Sequence, residues 1–189
     1  MRERMSEEEK KYLLTLARET LEACVKGNPL PRIEDSKLTP ILRSNGASFV
    51  TLTIHGELRG CIGALEPYQP LAEDVREHTM AAAQEDYRFH PVREEEIPSI
   101  AIEISRLTTP VPLDYRNYQD LVEKLNPGID GVILHDGFHR ATFLPQVWEK
   151  LPREEDFLSN LCYKMGVAPD TWRVKHLEVL IYQVEDFHE

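Results

Sequence analysis

An α+β fold in two lobes, mainly antiparallel sheet flanked by helices, is predicted by three features of the sequence. Apolar residues recur at helical spacing in three separate segments, short runs between them follow a strand-like pattern, and tight-turn dipeptides join some of those runs directly. The chain has 189 residues, 41% of them apolar, which is enough to bury a substantial core. One domain over residues 1–189 is expected, with room for two lobes at roughly 1–125 and 126–189 and for the C-terminal strand to return to the first.

Ser6 followed by Glu9 is a capping box, and Leu13, Leu16, Ala17, Leu21, Cys24 and Val25 then recur at helical spacing until Gly27-Asn28-Pro29, which predicts a first helix. Residues 28–39 are rich in proline and charge, as suits a surface connection. Ser48 to Ile54 and Leu58 to Leu65 read as two strands joined at His55-Gly56. Pro70 opens a second helix through Leu71, Val75, Thr79, Ala82 and Ala83. After the irregular run Asp86 to Pro91, Ile100, Ile102 and Ile104 alternate with Ala101, Glu103 and Ser105, so this strand buries its isoleucines and turns the other three to the opposite face. Asn117 caps a helix carrying Tyr118, Leu121, Val122 and Leu125, residues 126–131 form a loop, and a second hairpin turns on the two residues Asp136-Gly137. Phe157, Leu158, Leu161 and Met165 form a third major helix stopped by Gly166, and Leu177 to Val184 reads as a closing strand.

The formal net charge of -11 works against binding a polyanion, because phosphate contacts need clustered Lys and Arg. Nucleic acid and anionic membrane surfaces are therefore not expected as partners. Cys24, Cys61 and Cys162 cannot all pair within one chain and match no disulfide or zinc spacing, so they read as free thiols in a reducing compartment. The run Met1 to Glu9 contains no apolar stretch for secretion and no later run reaches membrane-spanning length, which points to the cytoplasm. No phosphate loop or dinucleotide fingerprint is present, and neither a metal nor a cofactor is expected. On a two-residue turn His135 and His139 fall on opposite sides of the sheet. His78, on the second helix, is the one histidine placed to partner Cys61, and a surface position accounts for it as well.

The segment Leu58-Arg59-Gly60-Cys61-Ile62-Gly63 is the leading candidate site. Alternation puts Arg59 and Cys61 on one face and Leu58 and Ile62 on the other. A guanidinium near a thiol suits nucleophilic chemistry, and Gly60 and Gly63 would let a ligand approach the backbone. The same residues also fit a buried structural thiol with glycines where another element packs closely. Asp86 and Arg88 beside Phe89 offer charge and an aromatic ring on a loop, or an ion pair that fixes that loop. Glu103 and Ser105 supply a carboxylate and a hydroxyl to a cleft, or form the wet face of a strand. Cys24 and Cys162 read as small core residues.

Taken in order, the run Gly56 to Gly63, Asp86 to Pro91, Glu95-Glu96-Ile97 leading into Ile102-Glu103-Ile104-Ser105, Gly128 to Val132, Leu144 to Val147, and Phe157-Leu158 through Lys164-Met165-Gly166 resemble the signature of the AMMECR domain family, over roughly Tyr12 to Tyr182. Tyr87 stands where that family usually has proline, and His90 and Met165 replace smaller or less polar residues. The resemblance implies a two-lobed α+β fold with the Arg-Gly-Cys strand as its best-known signature, and it names no reaction. Prokaryotic members are similar to the A component of the AmmeMemoRadiSam set, which implies a Memo-like protein and a radical SAM protein as partners. On this footing Cys61 and Arg59 are candidate catalytic residues, with Gly60, Gly63, Asp86, Arg88, Phe89, Glu103, Ser105, Gln146 and Lys164 as candidate cleft or substrate-binding residues. The alternative is a non-catalytic interaction module that docks a partner through the Leu58–Gly63 strand, with Arg59 and Phe89 as anchors.

Overall fold

The computed structural model describes residues 4–189; Met1, Arg2 and Glu3, part of the N-terminal run considered above, lie outside the described residues. In chain order the first elements are α1 (Glu7–Val25), α2 (Pro40–Arg43), β1 (Asn45–Ile54), β2 (Glu57–Gly63), β3 (Gln69–Pro70), α3 (Leu71–Gln84) and β4 (Ile100–Leu107). They are followed by β5 (Val111–Pro112), α4 (Tyr118–Lys124), β6 (Gly131–His135), β7 (Arg140–Phe143), α5 (Glu154–Met165), α6 (Thr171–Val174), β8 (Glu178–Tyr182) and β9 (Val184–His188). The fold is α+β, and β1 pairs antiparallel with β2, β3 and β4, as β8 does with β5 and β6. The chain divides into two compact units, one running through Thr108 and closed by Glu185–Glu189, the other Thr109–Val184. The helix capped by Asn117, grouped with the first lobe in the sequence, falls in the second unit.

In the first unit the strand order is β2-β1-β4-β9, with β3 also on β1. The capping box at the start of α1 forms in both directions, Ser6 Oγ accepting from the Glu9 N–H at 3.3 Å and the Glu9 carboxylate accepting from the Ser6 N–H at 2.7 Å. Val50 and Leu52 of β1 lie opposite Ile104 and Ile102 of β4, and all four are sealed into one core with Leu13, Leu21, Leu71 and Val75 from the helices. Burying such a side chain contributes about 1.5–3 kcal/mol relative to leaving it exposed. His55 and Gly56 both take positive φ, 52° and 82°, which a two-residue hairpin turn requires.

Two expectations about this sheet are corrected. Leu52 pairs with Gly60 but Thr53 pairs with Leu58, so Arg59 has no residue opposite it and forms a β-bulge. The bulge places Leu58 opposite Thr53, on the face of Thr51 and Cys61, whereas Ile62 packs on the core. Leu58 and Ile62 therefore do not share a face. Ser105, expected on a wet face, is buried because β9 brings Asp186 against it, with a 2.6 Å bond from the Ser105 hydroxyl.

The second unit has strand order β5-β8-β6-β7, covered by α5 through the fully buried Phe157, Leu158 and Leu161, with Trp148 stacked on Phe157 at 3.7 Å between ring centroids. Gly166 ends α5 in the left-handed conformation at φ 86°, and the Val167 N–H closes the last turn on Cys162 O at 3.1 Å. The last paired residues of the β6–β7 hairpin are His135 and Arg140, so its loop is the four residues Asp136 to His139 and not a two-residue turn. The reason is local: the Asp136 carboxylate accepts from the Phe138 and His139 N–H groups at 3.0 and 2.8 Å, folding the loop around itself. The expected closing strand is two strands, β8 in the second sheet and β9 in the first, broken at Gln183. Among the described residues no helix is long and apolar enough to cross a membrane.

A Cβ added at Gly60 would lie 2.2 Å from the carbonyl oxygen of Ala82 on α3, a backbone atom with no freedom to swing aside. Gly60→Ala is predicted to destabilise the chain by about 1–3 kcal/mol, the usual cost of overpacking, seen as a lower urea midpoint at unchanged slope.

Candidate functional site

Because β2 is an edge strand, alternate residues turn their backbone groups away from β1 and into a position where no further strand follows. Cys61 is such a residue. The turn after α3 supplies what a neighbouring strand would have: Asp86 Oδ2 accepts from the Cys61 N–H at 2.9 Å, and Arg88 Nη2 donates to the Cys61 C=O at 3.2 Å. The same carboxylate accepts from the Arg88 N–H, Nε and Nη2 at 3.1, 2.9 and 2.6 Å. Asp86 and Arg88 thus form one rigid fork closed onto the Cys61 peptide. The bonds from the Arg88 guanidinium, with those from the Cys61 and Arg88 N–H groups, outweigh burial and hold the Asp86 carboxyl well below the usual carboxylate range.

The bulge releases Arg59 from the sheet pattern and aims it at Glu96, which it grips in bidentate fashion through Nε and Nη2 at 2.7 and 3.0 Å. That guanidinium is also what lowers the Glu96 carboxyl from its ordinary value. Arg59 and Arg88 both approach the ring of Phe89, at 5.9 and 5.6 Å from its centroid, within cation–π range. Together with His90, Pro91 and Arg93 these side chains line a cleft of about 660 Å³. Tyr87 stands at its rim, 94% exposed. Cys61 is half-buried, and the hydrogen bond to its sulfur comes from Thr51 Oγ1 at 3.3 Å.

Of the residues singled out in the sequence, Arg59, Cys61, Asp86, Arg88 and Phe89 come together. Gly60 and Gly63 border the same strand, but the space a side chain would fill there holds the Ala82 carbonyl and, at 2.4 Å from a Gly63 Cβ, the ring of Phe49. Glu103 lies opposite Thr51 and is exposed, and Ser105 lies opposite Phe49 and is bound to Asp186. Gln146 and Lys164 belong to the second unit, where Gln146 is exposed and Lys164 donates to Thr142 O at 2.8 Å. His78 is not a surface residue: it is buried, 3.2 Å from Asp74 Oδ2, which also takes the Ser48 hydroxyl at 2.6 Å. Ser48 lies on the helix-covered face of β1 with Val50 and Leu52, and Cys61, opposite Thr51, lies on the other, so histidine and thiol do not meet. His135 is paired with Glu178 at 3.0 Å and His139 with Asp136 at 3.3 Å.

Two partners in the site, Glu96 and Thr51, were not among the candidates. Glu96 is joined to Arg59 across 37 positions of sequence, and the only sign of it was its place in the Glu95-Glu96-Ile97 motif. Thr51 looked like any polar strand residue.

The chain shares its fold with a group of proteins of unassigned function. A model of the AMMECR1 family matches residues 14–187, and the chain belongs to that family. A protein of Methanothermobacter thermautotrophicus is 37% identical over 190 residues, covering 98% of this chain and 96% of its own. One of Thermofilum pendens is 38% identical over 202 residues, covering 98% and 92%. The crystal structure of an uncharacterized protein, PH0010 of Pyrococcus horikoshii, superposes with a TM-score of 0.71 at 33% identity, covering 94% of this chain and 90% of that one.

A carboxyl lowered in the folded state adds stability that is fully present above its unfolded value and is lost as pH falls through the folded one. Asp86→Asn is therefore predicted to be less stable than the wild type at neutral pH, with the gap in urea midpoint constant down to about pH 4 and narrowing on further acidification, since the ordinary aspartate value is about 3.9.

Proposed function

We propose that this chain is a protein-recognition module, and that the cleft beside the β2 edge docks a partner through Arg59, Phe89 and Tyr87. The observation that carries this reading is the state of the Arg59 and Arg88 guanidiniums. Arg59 is committed to Glu96 and Arg88 to Asp86, so both guanidiniums act as fixed walls around Phe89 and not as partners of a thiolate. A pre-organised set of arginine and aromatic side chains at the mouth of a cleft is the composition typical of binding hot spots. Docking uses the cleft and not backbone pairing along the whole Leu58–Gly63 strand, because the Cys61 peptide is already occupied. The partners we propose are the Memo-like and radical SAM proteins that the family resemblance implies.

Tyr87 is so exposed that removing its ring costs the fold little, which makes it the cleanest probe. Tyr87→Ala and Phe89→Ala are predicted to weaken binding of the Memo-like or the radical SAM protein at least tenfold in calorimetry or pull-down, the loss of a hot-spot contact of about 2 kcal/mol. Cys61→Ser should leave binding intact. Unchanged affinity in both cleft variants contradicts docking at this cleft.

A Cys61-dependent enzyme or enzyme component is the second reading, favoured by the half-buried position of Cys61 beside the cleft strand, where Cys162 is sealed in the core. Burial pushes the Cys24 and Cys162 thiols up, so both serve as slow internal references. In an iodoacetamide time course read by peptide mass spectrometry, the recognition reading predicts that Cys61 of the folded protein reacts no faster than Cys61 of the urea-unfolded chain. Labelling of folded Cys61 many-fold faster than in the unfolded chain would move the balance to thiol chemistry.

A further inference from the structure

Each of the two arginines around Phe89 uses one edge of its guanidinium within the chain and keeps one nitrogen in reserve. Arg59 gives Nε and Nη2 to Glu96, and Arg88 gives Nε and Nη2 to Asp86, with Nη2 also reaching the Cys61 C=O. The Nη1 group of each has no acceptor among the described residues, and both residues line the cleft, with their guanidinium carbons 5.9 and 5.6 Å from the Phe89 ring centroid. A guanidinium offers five N–H donors and does not give up its proton, so these groups remain donors at any ordinary pH. Solvent satisfies them while the cleft is open. A docked partner expels that solvent, and a donor then left stranded costs about 1–3 kcal/mol, more when it is charged. A purely apolar surface laid over Phe89 would incur that cost.

We infer that the group recognised in this cleft is the side-chain carboxylate of a glutamate or aspartate, carried on the partner beside an apolar residue that covers the Phe89 ring. This rests on the docking reading and names the chemistry of its partner. A carboxylate brings two acceptor oxygens and no donor, so it can take the Nη1 group of one arginine or bridge the two. Phe89 and the 94% exposed ring of Tyr87 supply the apolar contact next to it. Charge favours a carboxylate over a phosphate. Arg59, Arg88 and Arg93 each already face a carboxylate, at 2.7, 2.6 and 3.6 Å, so a monoanion disturbs the balance of the cleft less than a dianion would. Glu95 and Glu96 line the same cleft, and their repulsion keeps the net gain modest, about tenfold in affinity.

The test needs no partner protein. The capped tripeptide acetyl-Leu-Glu-Leu-amide and its glutamine and phosphoserine counterparts are titrated into the wild-type protein while the Tyr87 and Phe89 ring signals are followed by NMR. The glutamate peptide is expected to shift both rings saturably, and the glutamine and phosphoserine peptides to bind about tenfold more weakly. In Arg59→Gln, with wild-type circular dichroism, the glutamate peptide should lose most of its advantage over the glutamine one. Equal binding of the glutamate and glutamine peptides, no saturable shift from any peptide, or an advantage that Arg59→Gln leaves whole overturns the inference. Tighter binding of the phosphoserine peptide overturns it too, in favour of a phosphate. Should Arg59→Gln fail to fold, the three peptides on the wild type decide alone. The docking reading fails separately, when Tyr87→Ala and Phe89→Ala leave the affinity for the Memo-like and radical SAM proteins unchanged.

Discussion

The carboxylate of Asp86 holds the two halves of the site together. It sits almost wholly out of solvent, accepts four hydrogen bonds, and connects the turn after α3 to the backbone of β2. A buried carboxylate is costly unless its lone pairs are filled, and here they are filled by the Arg88 guanidinium and by two backbone N–H groups. That one group therefore fixes three features at once: it satisfies the outward face of Cys61, it orients Arg88 toward Phe89, and it shapes the turn that projects Tyr87.

On the other side of Phe89 the β-bulge at Arg59 has the matching role. An unbroken ladder would have left Arg59 on the sheet face beside Cys61; the extra residue turns it toward Glu96 instead. The Arg59–Cys61 segment of β2 and the Asp86–Phe89 turn thus meet around one ring. Glycines that would have admitted a ligand to the strand are filled by the Ala82 carbonyl and the Phe49 ring, so the space available to a partner lies beside the strand, in the cleft.

Elements governed by neighbours in sequence were legible from it. The Ser6–Glu9 box, the His55-Gly56 turn, the alternating isoleucines of β4 and the Gly166 stop all follow from interactions within a few residues. Features set by distant partners were not. Whether Arg59 is bulged depends on how β1 aligns across the hairpin, and the burial of Ser105 depends on Asp186, 81 positions away. The continuous apolar pattern from Leu177 to Val184 conceals the break at Gln183, because both halves are half-buried strands and only their pairing partners differ. The Asp136-Gly137 dipeptide suggested the shortest turn, while the side chain of Asp136 stabilises a longer one. Of the candidate site residues, alternation in the sequence placed only Arg59 and Cys61 together, on one sheet face, and the bulge changes that placement; that Asp86, Arg88 and Phe89 lie beside them is set by the turn after α3, some 25 positions away.

The most direct test of this account is the exchange rate of the Cys61 amide proton. An edge-strand amide facing away from its neighbour exchanges quickly when it meets only water, and slowly when a fixed acceptor holds it. In the wild-type protein the Cys61 amide is predicted to be as protected as those of Gly60 and Ile62, and Asp86→Asn to accelerate it selectively. Fast exchange at Cys61 in the wild type, or a rate that Asp86→Asn leaves unchanged, would contradict the role given to Asp86.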